Sequence, residues 1–361
     1  MKKKCFMIST LFLVSTAFAG PAKIMHQTSD SAIVRMGASD SHLVWQEVGN
    51  QGSERYVYTL DTRSGRKSAV DAGRRPFGPQ VSGGMLIYGA GRINSGVIVS
   101  MYDFVTNRTF NLQANMGWIS EPAIQVLKQA DGKDLVRAVW DWSFDIYGEG
   151  MEIVLFEGGR DGKGSKRILV KGPIELRDSI PPEYHGSVLS EYPELSGDIM
   201  VFQNNEYGTP SIYRMDIKTG TIKRLAPSIF YQERPHVDGK HTVWEESEKG
   251  FAISNISSIF LHNAETNEVK MINQDPGFHF QVRIKGNYVL YGSKREPMPN
   301  TPSLIVYDIA LGIEYNANKC FPGSLFDYAA IDTGLYAAQR MQNGNSRLLF
   351  ATWDQLKAGC Q

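Results

Sequence analysis

Apolar pairs ending in an aromatic residue punctuate the chain: Val44-Trp45, Ile87-Tyr88, Val139-Trp140, Val201-Phe202, Val243-Trp244, Leu290-Tyr291 and Leu335-Tyr336. Successive aromatics lie 43, 52, 62, 42, 47 and 45 residues apart. In three copies a proline stands nine residues earlier: Pro79 before Tyr88, Pro193 before Phe202 and Pro235 before Trp244. The text between reads as a strand, a Gly turn (Gly83, Gly197 or Gly239) and a second strand, which predicts a hairpin.

A polar signal runs in step with the apolar one. A third strand ends in Asp or Asn, and Gly or Asn follows four residues later: Asp61…Gly65, Asp103…Asn107, Asp216…Gly220, Asn263…Asn267 and Asp308…Gly312. The acceptor side chain favours a tight turn, and Gly or Asn tolerates the positive φ that closes it. A fourth strand comes next. A repeated unit of roughly 40–45 residues with several short strands is the signature of a β-propeller. The expected fold is therefore all-β, a single propeller of seven blades, each of four antiparallel strands. Blade three replaces the Asp turn with Leu155-Phe156-Glu157 and a Gly-rich turn through Gly164, and the seventh repeat lacks the turn. The segment from Lys23 to Met36 is expected to supply the strand missing from the last blade and so close the ring.

The first 19 residues predict a secretory leader. Lys2, Lys3 and Lys4 precede an apolar run from Cys5 to Val14, and Ala17-Phe18-Ala19 reads as a cleavage signal. The run is too short for a permanent membrane span. Residues 20–361 then form the propeller domain, used up by the seven units, as an exported monomer of the periplasm or extracellular space. The whole chain carries 38 basic and 38 acidic residues, and loss of the leader lysines leaves a mildly acidic protein. Nucleic-acid binding, which needs a concentrated basic face, is not expected. Cys320 and Cys360 remain, and in an oxidising compartment they predict a disulfide.

The stretch YPELSGDIMVFQNNEYGTPSIYRMDIKTGTIKRLA, residues 192–226, resembles the repeats of the TolB-like propellers, relatives of the WD-repeat family. The shared features are the Pro-x-x-Ser-Gly-Asp start, the apolar-aromatic strand, Ile-Tyr-x-Met-Asp and the Thr-Gly turn before Lys-Arg-Leu. The resemblance is one of repeat and fold, and the α/β domain that the Tol-system protein carries ahead of its propeller has no counterpart here. Some propellers similar in repeat are oligogalacturonate lyases, in which histidines bind a metal and a basic residue stabilises an enolate-like intermediate. That resemblance would make His185, His279 and Arg234 the residues to test.

Function should reside where the rhythm breaks, because insertions in a regular repeat map to loops on one face. The long spacings around blades three and four hold Trp118, Trp142, Phe144, Tyr147 and Tyr184. These either form an aromatic platform for a sugar or peptide or pack the insertions onto the blades. Glu121, Glu191 and Glu233 recur just ahead of innermost strands. They could hold Ca²⁺, contact a basic partner, act as general acid and base, or pair with Arg75, Arg234 and Arg283 in a charged ring. Sequence signatures of a serine hydrolase elbow, an H-E-x-x-H zinc site and a phosphate-cradling Gly loop are missing. The leading expectation is a non-enzymatic scaffold without a cofactor that recognises a protein or glycan. The alternative is a polysaccharide-active enzyme with Ca²⁺ or Mn²⁺.

Overall fold

The computed structural model describes residues 22–28, 31–49, 55–73, 75–92, 96–115, 119–143, 151–250, 256–273, 275–295, 302–321, 323–341 and 343–360. Its strands form seven four-stranded antiparallel sheets, each a meander of consecutive strands except one. Counting strands a to d outward from the channel, the strands a are Ser31–Ala38, Pro76–Ser82, Ala123–Lys128, Ser190–Ser196, Tyr231–Asp238, Gly277–Lys285 and Ser324–Ile331. The exceptional sheet is the last blade, whose outermost strand is Lys23–Gln27 paired with Ser346–Thr352. Ring closure therefore uses only the first part of the expected segment, and Ser31–Ala38 opens blade one instead. No helix among the described residues is long and apolar enough to cross a membrane.

All seven aromatic markers are buried on strand b. The Asp and Asn turns join strands c and d. Asp61 accepts from the amides of Arg63 and Ser64, Asp216 from Lys218 and Thr219, and Asp308 from Ala310 and Leu311. The closing residues Gly65, Asn107, Gly220, Asn267 and Gly312 have φ of 71°, 55°, 72°, 56° and 69°, the left-handed region such residues tolerate. These carboxylates are thus consumed by local backbone hydrogen bonds.

Arginines of blades three and four hook onto the hairpin turns of neighbouring blades. Arg160, from the Gly-rich turn of blade three, donates to the carbonyls of Gly83 and Gly84 and to the buried Asp103 in the blade-two turn. Arg137 bonds Gly197 O at 2.8 Å and Asp198 at 2.7 Å on blade four. Arg214 reaches Gly239 O on blade five at 3.0 Å. The departure of blade three from the Asp-turn motif is therefore a structural device. At the C-terminus, the helix Trp353–Ala358 starts on a Thr352–Gln355 capping box and ends at left-handed Gly359. Cys360 beyond it forms the expected disulfide with Cys320, 5.0 Å away between Cα atoms.

Candidate functional site

An innermost strand presents its edge to the channel, and its side chains alternate toward the two neighbouring blades. Placing side chains in the channel needs a local break in that alternation. In blades one, two, four, five and six, two residues of strand a face the single aromatic marker of strand b. In blade one, Val34 pairs with Gln46 and Gly37 with Val44, leaving Arg35 and Met36 opposite Trp45. The first residue of each bulge is left-handed: Arg35 (φ 52°), Gly78 (52°), Tyr192 (53°), Arg234 (53°) and Gln281 (56°). A bulge re-aims a side chain, and all five of these residues line one channel cavity of about 300 Å³. A non-Gly residue held left-handed costs roughly 1–3 kcal/mol, so four such residues at one register form a built feature.

Three of the bulges are held by the polar residue that follows a marker on the preceding blade. Gln203 Oε1 accepts from the amide of Arg234 at 3.0 Å, and Glu245 Oε1 from that of Val282 at 3.1 Å. Asp141 accepts from both donors of Ser120 and, at 3.2 Å, from the amide of Tyr192. In each case strand b of one blade satisfies a bulge amide of the next. Burial pushes the carboxyls of Asp141 and Glu245 up to about 7. Among the described residues Glu245 Oε2 has no hydrogen-bond partner, although the residue lines the cavity at 2% exposure.

The cavity wall is charged. His236 lies between Glu194, whose Oε1 is 3.2 Å from Nδ1, and Arg283, which donates to Nε2. A donor at Nε2 makes that nitrogen the acceptor, so Nδ1 carries the proton and the ring is neutral. Burial, with Arg283 alongside, lowers the pKa of His236 accordingly. Asp327, on blade seven, accepts from the amide of Met36 at 2.7 Å and is pushed up by burial. Below this chamber, toward the a–b turns, a second cavity of about 450 Å³ is walled by Ser39, Asp40, Ser82, Asp238 and Lys285.

The structure separates the sequence candidates. Glu121 and Arg234 line the chamber, but Glu191 and Glu233 do not. Glu191 instead accepts from Gln203 Nε2 at 2.9 Å, and burial raises its pKa. His185 lies on a short 3₁₀ helix, Pro182–Ser187, with Nε2 2.7 Å from Ile180 O. His279 is buried, its Nε2 3.0 Å from Asp275 O and its ring edge-on to Tyr291. Neither histidine lines the chamber. Trp142 is core, packed between blades two and three, so it has no free platform face. Tyr184 is exposed. Trp118, Phe144 and Tyr147 lie outside the described residues. Among the described residues no three His, Cys, Asp or Glu side chains gather to hold a metal ion.

Solved structures share this arrangement at low sequence identity. An oligogalacturonate lyase in complex with manganese matches 93% of this chain and 98% of its own, at 12% identity and a TM-score of 0.59. The acylaminoacyl peptidase of Pyrococcus horikoshii matches 90% of this chain with 14% identity and a TM-score of 0.59, and the match spans 51% of the peptidase. TolB from Acinetobacter baumannii matches 82% of this chain and 63% of its own at 15% identity, with a TM-score of 0.49. No family model matches, and neither does any curated protein. The chain is a seven-bladed β-propeller. Identities this low establish the fold alone, and a propeller hosts many unrelated tasks.

Sequence reading missed Arg35, Glu194, His236, Glu245 and Asp327 as channel residues. A signal for the supporting set was present. Gln46, Asp141, Gln203 and Glu245 each stand immediately after an aromatic marker, where a buried strand would otherwise continue apolar. Three of these bond the bulge of the next blade, and Gln46 donates to Pro76 O on the next blade.

Proposed function

We propose that this chain is an exported, non-enzymatic recognition propeller that binds a partner through the face carrying its d–a and b–c connections. One observation carries the reading. Tyr184, Tyr207, Ile229, Phe230 and Ile256 are exposed, at 60%, 37%, 85%, 37% and 63%. All five belong to b–c or d–a connections around blades four and five, which emerge on one face. Exposed apolar residues concentrated in one sector mark interaction sites, and aromatic residues dominate binding energy where they are buried by a partner. The aliphatic members favour a protein over a glycan, since sugars stack on aromatic faces. Export is supported by the leader pattern and by the Cys320–Cys360 disulfide.

The test is capture by chemical cross-linking from an extract of exported proteins, beside a glycan array, followed by a binding isotherm with what is recovered. The double variant Ile229→Asp, Phe230→Asp should keep its Tm within about 1 °C, because both side chains reach solvent. It should bind the recovered partner at least tenfold more weakly, about 1.4 kcal/mol. Equal binding by the variant would refute this surface. Arg234 in the chamber supports a second reading as a polysaccharide-active enzyme. Stoichiometric Mn²⁺ or Ca²⁺ in the purified protein together with oligouronide cleavage would replace the recognition reading with that one.

A further inference from the structure

Some charged groups of the chamber make no hydrogen bond to a described residue. Arg35 is exposed into the cavity and forms no hydrogen bond or ion pair with a described residue. Glu121, two blades away around the ring, faces the same cavity; it makes no hydrogen bond to a described residue, and its charge helps keep the buried Arg283 protonated. His236 is bonded on both ring nitrogens, by Glu194 and Arg283. A third group points to a ligand independently: Glu245 Oε2 is buried at the chamber wall with no hydrogen-bond partner among the described residues. A buried acceptor left open demands an explanation, and a donor from a bound molecule supplies one.

The geometry points to a small-molecule site in this chamber for a zwitterion of amino-acid or dipeptide size. Its carboxylate would be taken by the guanidinium of Arg35, whose fork geometry matches a carboxylate. Its ammonium would be taken by Glu121 and Glu245. A volume of about 300 Å³ lies at the small end of ligand cavities and excludes a folded partner. A left-handed Arg35 is explained on this reading, because the bulge turns the guanidinium out of the blade interface and into the cavity. The site is separate from the outer surface around Ile229, so either can fail without the other.

The test uses the full mature chain. A thermal-shift screen of the twenty free L-amino acids and of Ala-Ala is followed by isothermal titration with the best probe and its two blocked forms, N-acetylated and C-amidated. One-to-one saturable binding is expected, with each blocked form at least tenfold weaker. Glu121→Gln and Arg35→Met should each weaken the unblocked probe at least tenfold. The inference is overturned if no probe saturates, if either blocked form binds within threefold of the zwitterion, or if either variant binds as the wild type does. The blocked probes are read on the unaltered protein, so the result does not depend on how the variants fold.

Discussion

At the residue scale, a carboxylate such as Glu245 is held where water would ordinarily solvate it, because its Oε1 completes the bulge of the next blade. Its folded pKa of about 7 stands above the ordinary value of 4.5, with burial as the main cause. A carboxyl raised by folding adds stability that is fully present below the unfolded pKa and is lost as pH rises through the folded one. Between pH 5 and pH 8 the wild type should therefore lose stability that Glu245→Gln retains. The difference should be on the order of 2–3 kcal/mol, since each pK unit is worth about 1.4 kcal/mol. Thermal melts of both proteins across that range check it, and parallel pH profiles would show that Glu245 does not titrate there. The polar residue after the aromatic marker was visible in sequence. Its partner, on another blade, was not.

At the scale of elements, the turn motif and the strand order followed from local chemistry. The Asp turns bond residues two and three positions ahead, so everything they need is inside a short window. Blade three shows the limit of that window. Its sequence announces a missing Asp turn, but the replacement, Arg160, acts on Asp103 and on the carbonyls of Gly83 and Gly84 in blade two. Arg160→Met should destabilise the protein by about 3 kcal/mol, because it leaves the 1%-exposed Asp103 without its counter-charge. Chemical denaturation gives the value, and a loss under about 0.5 kcal/mol, the level of an ordinary surface substitution, would mean the hook is incidental. The aromatic candidates divide for a similar reason. Trp142 closes the core between blades two and three while Tyr184 remains exposed, and residue type alone does not distinguish an anchor from a packing residue.

At the scale of the whole molecule, Lys23–Gln27 joins the first strand to the last blade. Deleting residues 22–28 should uncover the edge of Ser346–Thr352, lower Tm by well over 5 °C and promote association through that edge. Calorimetry and size-exclusion chromatography decide the matter, and a monomer melting at the wild-type temperature would remove closure from the account. The chain by itself determined the repeat and the c–d turns and pointed to seven blades and the pairing of Cys320 with Cys360, because each depends on periodicity, short-range hydrogen bonding or a simple count; the seven sheets fix the blade number. Only the tertiary structure decided which charges meet. Arg35, Glu121, Arg234 and Asp327 come from different blades, and the ring brings them around one axis. The bulges then choose which side chains turn inward, a choice of backbone geometry that residue identity does not reveal: Gly, Tyr, Arg and Gln all occupy the same left-handed position.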